Sequence, residues 1–226
     1  LPISFVHLGD DGERSFSFIR NPGADTLLKK EDVDVSIIDQ SRIVHFGSVS
    51  LTHEPSRHSV LYAVGYAKKK GKLISYDPNY RPLLWKNERD AVEWMIRGLA
   101  YADIVKVSEE ELMLITEESD IEKGSQWLLS QGAKMVFVTI GEKGAYFCSA
   151  RKKGFVQGFN VKAIDTTGCG DAFLGAVLYN ICRNPDMPLN EIVRFANAAG
   201  ALCAMKRGGF PYEIKKDDVE QLLHCG

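Results

Sequence analysis

The chain has 226 residues, 45% of them apolar and 26% charged, with a formal net charge of −2. That length accommodates one large domain, and the balance is that of an ordinary globular protein. The weak charge gives no field to gather nucleic acid or an anionic membrane, and no apolar run approaches the ~18 residues of a membrane helix. Five cysteines and five histidines are dispersed without C-x-x-C or metal-ligand spacing, so the sequence reads as neither zinc-bound nor disulfide-stapled, and its thiols suit the reducing cytoplasm.

The first residues, LPISFVHLGD, lack the basic start and small-residue cleavage site of a signal peptide and open inside what reads as a strand. Residues 3–8 and 14–19 are β-rich runs joined by GDDGE, a hairpin signal. NPGADTLLKKEDVD reads as loop with a short helical turn. IVHFGSV (43–49) is a strand of the buried type, and residues 54–70 predict a helix stopped by Gly71. Lys68, Lys69 and Lys70 suit the negative end of that helix dipole. LISYD (73–77) is the next strand, followed by the turn PNYRPLLW and a helix near 88–101. DIVKV (103–107) is a strand, SEEELMLIT opens a helix, and residues 120–131 predict another, closed by Gly132. MVFVTI (135–140) and GAYFCSA (144–150) are strands with Gly141 at the bend. A further short strand, a helix over about 171–182 and a long helix from Leu189 to about Lys206 follow.

Strands alternating with helices predict an α/β fold with a mostly parallel central sheet flanked by helices. Ligands of such sheets sit beyond the carboxyl ends of the strands. Polar residues gather there: Asp77 to Arg81, Lys106 to Glu111, and Thr139 to Gly144.

The densest motif is DTTGCGDAFLGAVLY (165–179). It lacks the spacing of a dinucleotide fingerprint, because the glycine after Gly168 and Gly170 is Gly175, and it lacks the lysine of a phosphate loop. Cys169 at a helix start could carry a reactive thiol, although no histidine base lies nearby in sequence. A third reading uses every residue present. Backbone N–H groups of Gly168, Cys169 and Gly170 converge at a helix N-terminus to make an anion hole, with the Asp171 carboxylate beside it. A base next to an anion hole is what phosphoryl transfer to an alcohol requires.

DTTGCGDAF resembles the signature D-T-x-G-A-G-D of the PfkB (ribokinase-like) carbohydrate kinases. LISYDPNYRPLLW, IVKVSEEEL, VTIGEKGAYF and FANAAGALCAMKRGGFP resemble further segments of that family in the same order, nearest to its fructokinase branch. The resemblance implies a ribokinase-like sandwich plus a small β lid. Residues 1–20 are then part of the lid and 21–226 the C-terminal part of the kinase domain. The family's opening strands, with an acidic sugar contact and a Gly-Gly turn, have no counterpart. Two or three further strand–helix units would take roughly 80 to 100 residues.

Roles follow from the resemblance. Asp171 is the catalytic base, the backbone of Gly168, Cys169 and Gly170 is the anion hole, and Cys169 stands where alanine is usual. Glu111 matches a glutamate that organises water around Mg²⁺, with Ser108 replacing the usual asparagine; Glu109 and Glu110 read as solvated. Asp165 and Thr167 occupy positions that bind a monovalent cation such as K⁺ in some relatives. Thr139, Gly141 and Gly144 match a loop passing close to the nucleotide, and Lys106 and Asn197 are further nucleotide contacts. A buried, internally satisfied asparagine is the rival reading of Asn197. Arg20, Asn79, Arg81 and Asp171 are placed on the sugar side.

The implied reaction is transfer of the γ-phosphoryl of MgATP to a hydroxyl of fructose or a similar sugar. A 2-keto-3-deoxygluconate kinase and a non-catalytic nucleotide- or sugar-binding regulator are the alternatives. A cytoplasmic enzyme pairing through its lids as a homodimer is the expected setting.

Overall fold

The computed structural model describes residues 3–8, 14–20, 23–208 and 214–225. The expected GDDGE turn and the segment from Gly209 to Pro211 lie outside them. Two sheets are present. β1 (Ile3–Leu8) and β2 (Arg14–Ile19) form an antiparallel pair with Ile3 opposite Ile19 and Leu8 opposite Arg14. The main sheet has six strands in the order β3 (Ile43–Gly47), β4 (Leu73–Asp77), β5 (Ile104–Ser108), β6 (Met135–Thr139), β7 (Gly144–Ser149) and β8 (Lys153–Gln157). β3 through β6 run parallel, and the last two pairings are antiparallel.

The parallel strands are linked by helices, as parallel pairing requires. α2 (Ser56–Lys69) joins β3 to β4, α3 (Glu88–Leu99) joins β4 to β5, and α4 (Glu109–Thr116) with α5 (Ile121–Ser130) joins β5 to β6. Side-chain caps fix where several helices start. Asn87 accepts from Asp90 N at 2.8 Å and Asp120 from Lys123 N at 3.0 Å, each satisfying a helix-start donor. Gly71 and Gly132, at φ 69° and 110°, provide the left-handed turns that end α2 and α5. Lys68 and Lys69 lie in the last turn of α2, as expected, and the Lys68 ammonium also reaches Ala100 O at 2.8 Å, at the end of α3.

Period-2 alternation divides the core in two. Ile74, Tyr76, Val105, Val107, Val136 and Val138 face a cluster covered by α2 to α5. Ile104, Phe137, Ala145 and Phe147 face the other side, under α6 (Cys169–Arg183) and α7 (Leu189–Ala204). The small residues of α7 are why α6 lies flush on it: Ala196, Ala198 and Ala199 are buried with little side chain to hold the backbones apart. On β4 and β5 this second face turns polar toward the strand ends, at Ser75, Asp77 and Lys106, all buried.

Two short helices escape the sequence reading, α1 (Val35–Gln40) and α8 (Lys216–Cys225). α1 is only six residues long and rests on an Asp34 cap, with Asp34 Oδ1 accepting from Ser36 N at 2.9 Å. α6 begins at Cys169 rather than near Asp171, because Gly168 at φ 80° completes the turn into the helix. The β1–β2 pair leaves Ile3, Phe5 and Ile19 at 50%, 56% and 57% exposure, an apolar face turned to solvent. Among the described residues no helix is long and apolar enough to cross a membrane.

Candidate active site

A cleft of ≈ 1120 Å³ opens at the carboxyl ends of β4, β5 and β6. It exceeds the ~300–1,000 Å³ of most single small-molecule sites, which suits two ligands side by side. One wall is Asn79 to Arg81, Lys106, Ser108 and Glu111; another is Thr139, Gly141 and Gly144; the start of α6 and one face of α7 close it.

Asp171 lies in the first turn of α6, exposed to the cleft. The first helical bond runs from Ala172 N to Gly168 O at 2.8 Å, and Cys169 N turns back on Thr166 O at 3.3 Å. The amides heading the helix toward the cleft are therefore those of Gly170 and Asp171, backed by the positive end of the helix dipole. A Cβ on Gly170 would sit 3.0 Å from Lys106 Nζ, so the ammonium is already against this backbone. Carboxylate, amides and cation thus meet at one corner of the cleft.

Lys106 is placed by a residue absent from the sequence-derived site. Asp77 Oδ2 lies 3.0 Å from Lys106 Nζ, with both side chains buried. Burial pushes the Asp77 carboxyl up to about 6 against the pull of Lys106, with Glu111 adding to the rise. Burial works against the Lys106 charge, but Asp77, Glu111 and Asp171 outweigh it and hold the ammonium's pKa above its usual value. The sequence did carry a signal for Asp77: a buried-type strand, LISYD, ending on a carboxylate.

Glu111 reaches two strand ends at once. Its Oε1 accepts from Tyr80 N at 2.7 Å and its Oε2 from Ser108 N at 2.8 Å, while Ser108 Oγ accepts from Glu111 N at 3.1 Å. This capping box joins the β4 turn to the start of α4. Glu111 also lines the cleft. Glu109 and Glu110 are exposed, as expected. Among the described residues no three metal-ligating side chains cluster; a Mg²⁺ carried by ATP phosphates would meet Glu111 as a carboxylate of the cleft wall.

Asp165 is committed to bracing its loop. Its Oδ1 accepts from Thr167 N at 2.9 Å and its Oδ2 from Gly208 N at 3.0 Å. Asn197 spends its amide donors on Val156 O and Gln157 O at 3.0 and 3.2 Å, holding the end of β8, yet still lines the cleft.

Gly141 and Gly144 take φ 53° and 119°. A Cβ on Gly144 would lie 2.2 Å from Val156 O, and one on Gly158 would lie 2.3 Å from Glu142 O. The loop therefore packs backbone to backbone, and Gly158 is a further requirement that the sequence reading missed.

On the sugar side, Asn79 and Arg81 line the cleft; Asn79, at φ 47°, donates its N–H to Asp77 Oδ1 at 3.0 Å. Arg20 lies elsewhere. Its guanidinium binds Asp25, Thr52 Oγ1 at 2.9 Å and Val49 O at 3.1 Å, tying the end of β2 to the turn after β3. It is not among the residues lining the cleft.

The family profile described as "pfkB family carbohydrate kinase" matches residues 2–213. The chain belongs to this family. PfkB relatives include the probable fructokinase-4 of Arabidopsis thaliana, 38% identical over 98% of this chain and 70% of that protein. Fructokinase-2 of Zea mays is 40% identical over 92% of this chain and 64% of its own length. The chain thus spans about two thirds of these PfkB proteins. Among solved structures, the Xylella fastidiosa fructokinase with bound ATP superposes with a TM-score of 0.89 at 31% identity, covering 99% of this chain and 73% of that one. The Vibrio cholerae O395 fructokinase bound to fructose, ADP and calcium gives 0.83 at 33% identity, covering 92% and 68%. The six-stranded sheet and its flanking helices are the ribokinase-like arrangement of these neighbours, as expected from the sequence.

Proposed function

We propose that this chain carries the phosphoryl-transfer half of an ATP-dependent sugar kinase, with fructose as the acceptor. One observation carries the reading: Asp171, the amides at the head of α6 and Lys106 Nζ share one corner of a cleft with room for two ligands. The names and bound ligands of the relatives support fructose and ATP.

Asp171 takes the proton of the sugar hydroxyl as that oxygen attacks the γ-phosphorus. The amides of Gly170 and Asp171 and the Lys106 ammonium stabilise the charge on the transferred phosphoryl oxygens, whereas the Cys169 amide of the expected anion hole is turned back on Thr166 O. Asp77 holds the ammonium in place. Thr139, Gly141 and Gly144 let backbone approach the nucleotide, and Asn197 keeps its side of the cleft in register. Asn79 and Arg81 orient the sugar, with Arg20 acting on that side by anchoring the hairpin. Mg²⁺, when bound with ATP, supplies neutralisation of the β- and γ-phosphate oxygens. K⁺ at the backbone oxygens of Asp165 and Thr167 belongs to the same reading, as does a cytoplasmic homodimer paired through the exposed Ile3, Phe5 and Ile19 face.

The test measures MgATP consumption with fructose, ribose and 2-keto-3-deoxygluconate in the longest natural form of the protein. Turnover with fructose at a higher kcat/KM than with the others is expected. A preference for ketodeoxygluconate moves the substrate assignment, and no turnover with any sugar defeats the kinase reading.

A further inference from the structure

A pair of thiols sits at the root of α6. Cys169 is the first residue of the helix, partly exposed and lining the cleft. Cys203, near the end of α7, is fully buried. The two side chains are hydrogen-bonded to each other, and Cys203 Sγ also lies 3.5 Å from Thr167 O.

The backbone fixes this encounter. Ile164 N and Asp165 N both donate to Ala204 O, at 2.7 and 3.1 Å, strapping the loop before α6 to the end of α7 that carries Cys203. Close approach at Gly200 completes it, where an added Cβ would lie 3.5 Å from Cys169 O. Phosphoryl transfer draws on the amides of Gly170 and Asp171, so neither the Cys169 nor the Cys203 sulfur has a part in that chemistry.

We propose that Cys169 and Cys203 are a reversible oxidation site, at which a hydroperoxide converts the thiol pair into a disulfide across the root of α6. Cys169, the sulfur that is reachable from the cleft, attacks the O–O bond as its thiolate. It becomes a sulfenic acid, and the departing oxygen takes up the proton the thiol had lost and leaves as water from hydrogen peroxide, or as the alcohol from an organic hydroperoxide. The Cys203 sulfur then attacks that of Cys169, forming the S–S bond and expelling hydroxide, which takes up a proton to give a second water. The thiols lose two electrons, and the peroxide gains them. The hydrogen bond from Cys169 draws the Cys203 thiol below its ordinary pKa despite burial, which favours it as the second nucleophile.

A disulfide needs the sulfurs at about 2.05 Å, far inside hydrogen-bonding range. Closing it pulls the first turn of α6 toward α7, takes Cys203 off Thr167 O and shifts the amides beside Asp171. Loss of turnover on oxidation rests on the kinase reading; the cross-link does not.

The experiment treats the full chain with hydrogen peroxide, blocks remaining thiols with iodoacetamide and digests without reductant. A peptide linking Cys169 to Cys203 is expected, lost after dithiothreitol and absent in Cys203→Ala. Cys203→Ser, which keeps a donor for Thr167 O, guards against a folding defect, and either variant retains the unoxidised rate. In the parallel assay, oxidation lowers sugar phosphorylation by about a hundredfold, the scale of one displaced oxyanion-hole donor, and reductant restores it. Sulfinic acid at Cys169 with no cross-link, or linkage to any other cysteine, overturns the site. A cross-linked protein with full turnover overturns the inhibition. Absence of turnover before oxidation counts against the kinase reading alone, since the cross-link is read by mass.

Discussion

Asp77 Oδ2 lies 3.0 Å from Lys106 Nζ across two parallel strands, and this buried pair sets the cation that faces the head of α6. The pairing that puts Tyr76 beside Val105 carries on by one residue to bring carboxylate and ammonium together. Neither group could be buried alone at tolerable cost, so each fixes the other.

The pair makes activity and stability respond to acid in opposite directions. Asp77 ionises at about 6, above its ordinary 3.8. A raised folded-state pKa contributes stability below pH 3.8 that is lost as pH climbs through about 6, on the order of 3 kcal/mol for this group. Turnover needs the ionised carboxylate and falls as pH drops below about 6. Asp77→Asn should remove that acid limb from the kcat profile and lower kcat by roughly 10–100-fold, within the span of a displaced electrostatic donor. An unchanged limb at about 6 would separate Asp77 from the reaction.

Asp171→Asn keeps the size of the side chain and removes the base. Turnover should fall by at least ~10²-fold, the lower range for a general base. Affinity for ATP, read by calorimetry, should stay within about threefold, because the amides and Lys106 remain. Wild-type turnover in this variant would falsify the assignment.

Glu111 accepts from two backbone amides that belong to different strand ends. Glu111→Gln keeps one acceptor oxygen and turns a donor toward the other N–H. The cost should be ~1–3 kcal/mol, the penalty for one unsatisfied buried donor. Urea melts measure it, and a Mg²⁺ titration of activity in the same variant reads the water-ordering role separately. A loss of stability with an unshifted Mg²⁺ requirement makes Glu111 a brace alone.

The nucleotide loop offers a graded test. Gly144→Ala places a Cβ 2.2 Å from Val156 O at φ 119°, so the hairpin must open. Gly141→Ala, at φ 53°, has no neighbour within 4 Å and carries only left-handed strain. The second should cost about 1 kcal/mol and the first distinctly more, about 3 kcal/mol or above. Equal melting temperatures for the two variants would contradict the packing described.

Much of this protein was legible along the chain because the signals are local. Apolar runs at strand length and the glycines at 71 and 132 each act within a few residues. Motif 165–171 likewise showed that a helix start, glycines and a carboxylate coincide, whatever lies around them. Even there, the loop turn at Gly168 moved the helix start to Cys169.

What sequence spacing left open are the relations that depend on how elements stack. Asp77 meets Lys106 through strand register, Cys169 meets Cys203 because α6 lies on the small-residue face of α7, and Glu111 spans two strand ends. Arg20, which the resemblance places on the sugar side, has its guanidinium on Asp25, Thr52 and Val49 O. Periodicity and caps tell which face a side chain occupies. Only the packed sheet, with its order and crossovers, decides which face it meets, and the sharing of charge across that contact turns placed residues into a site.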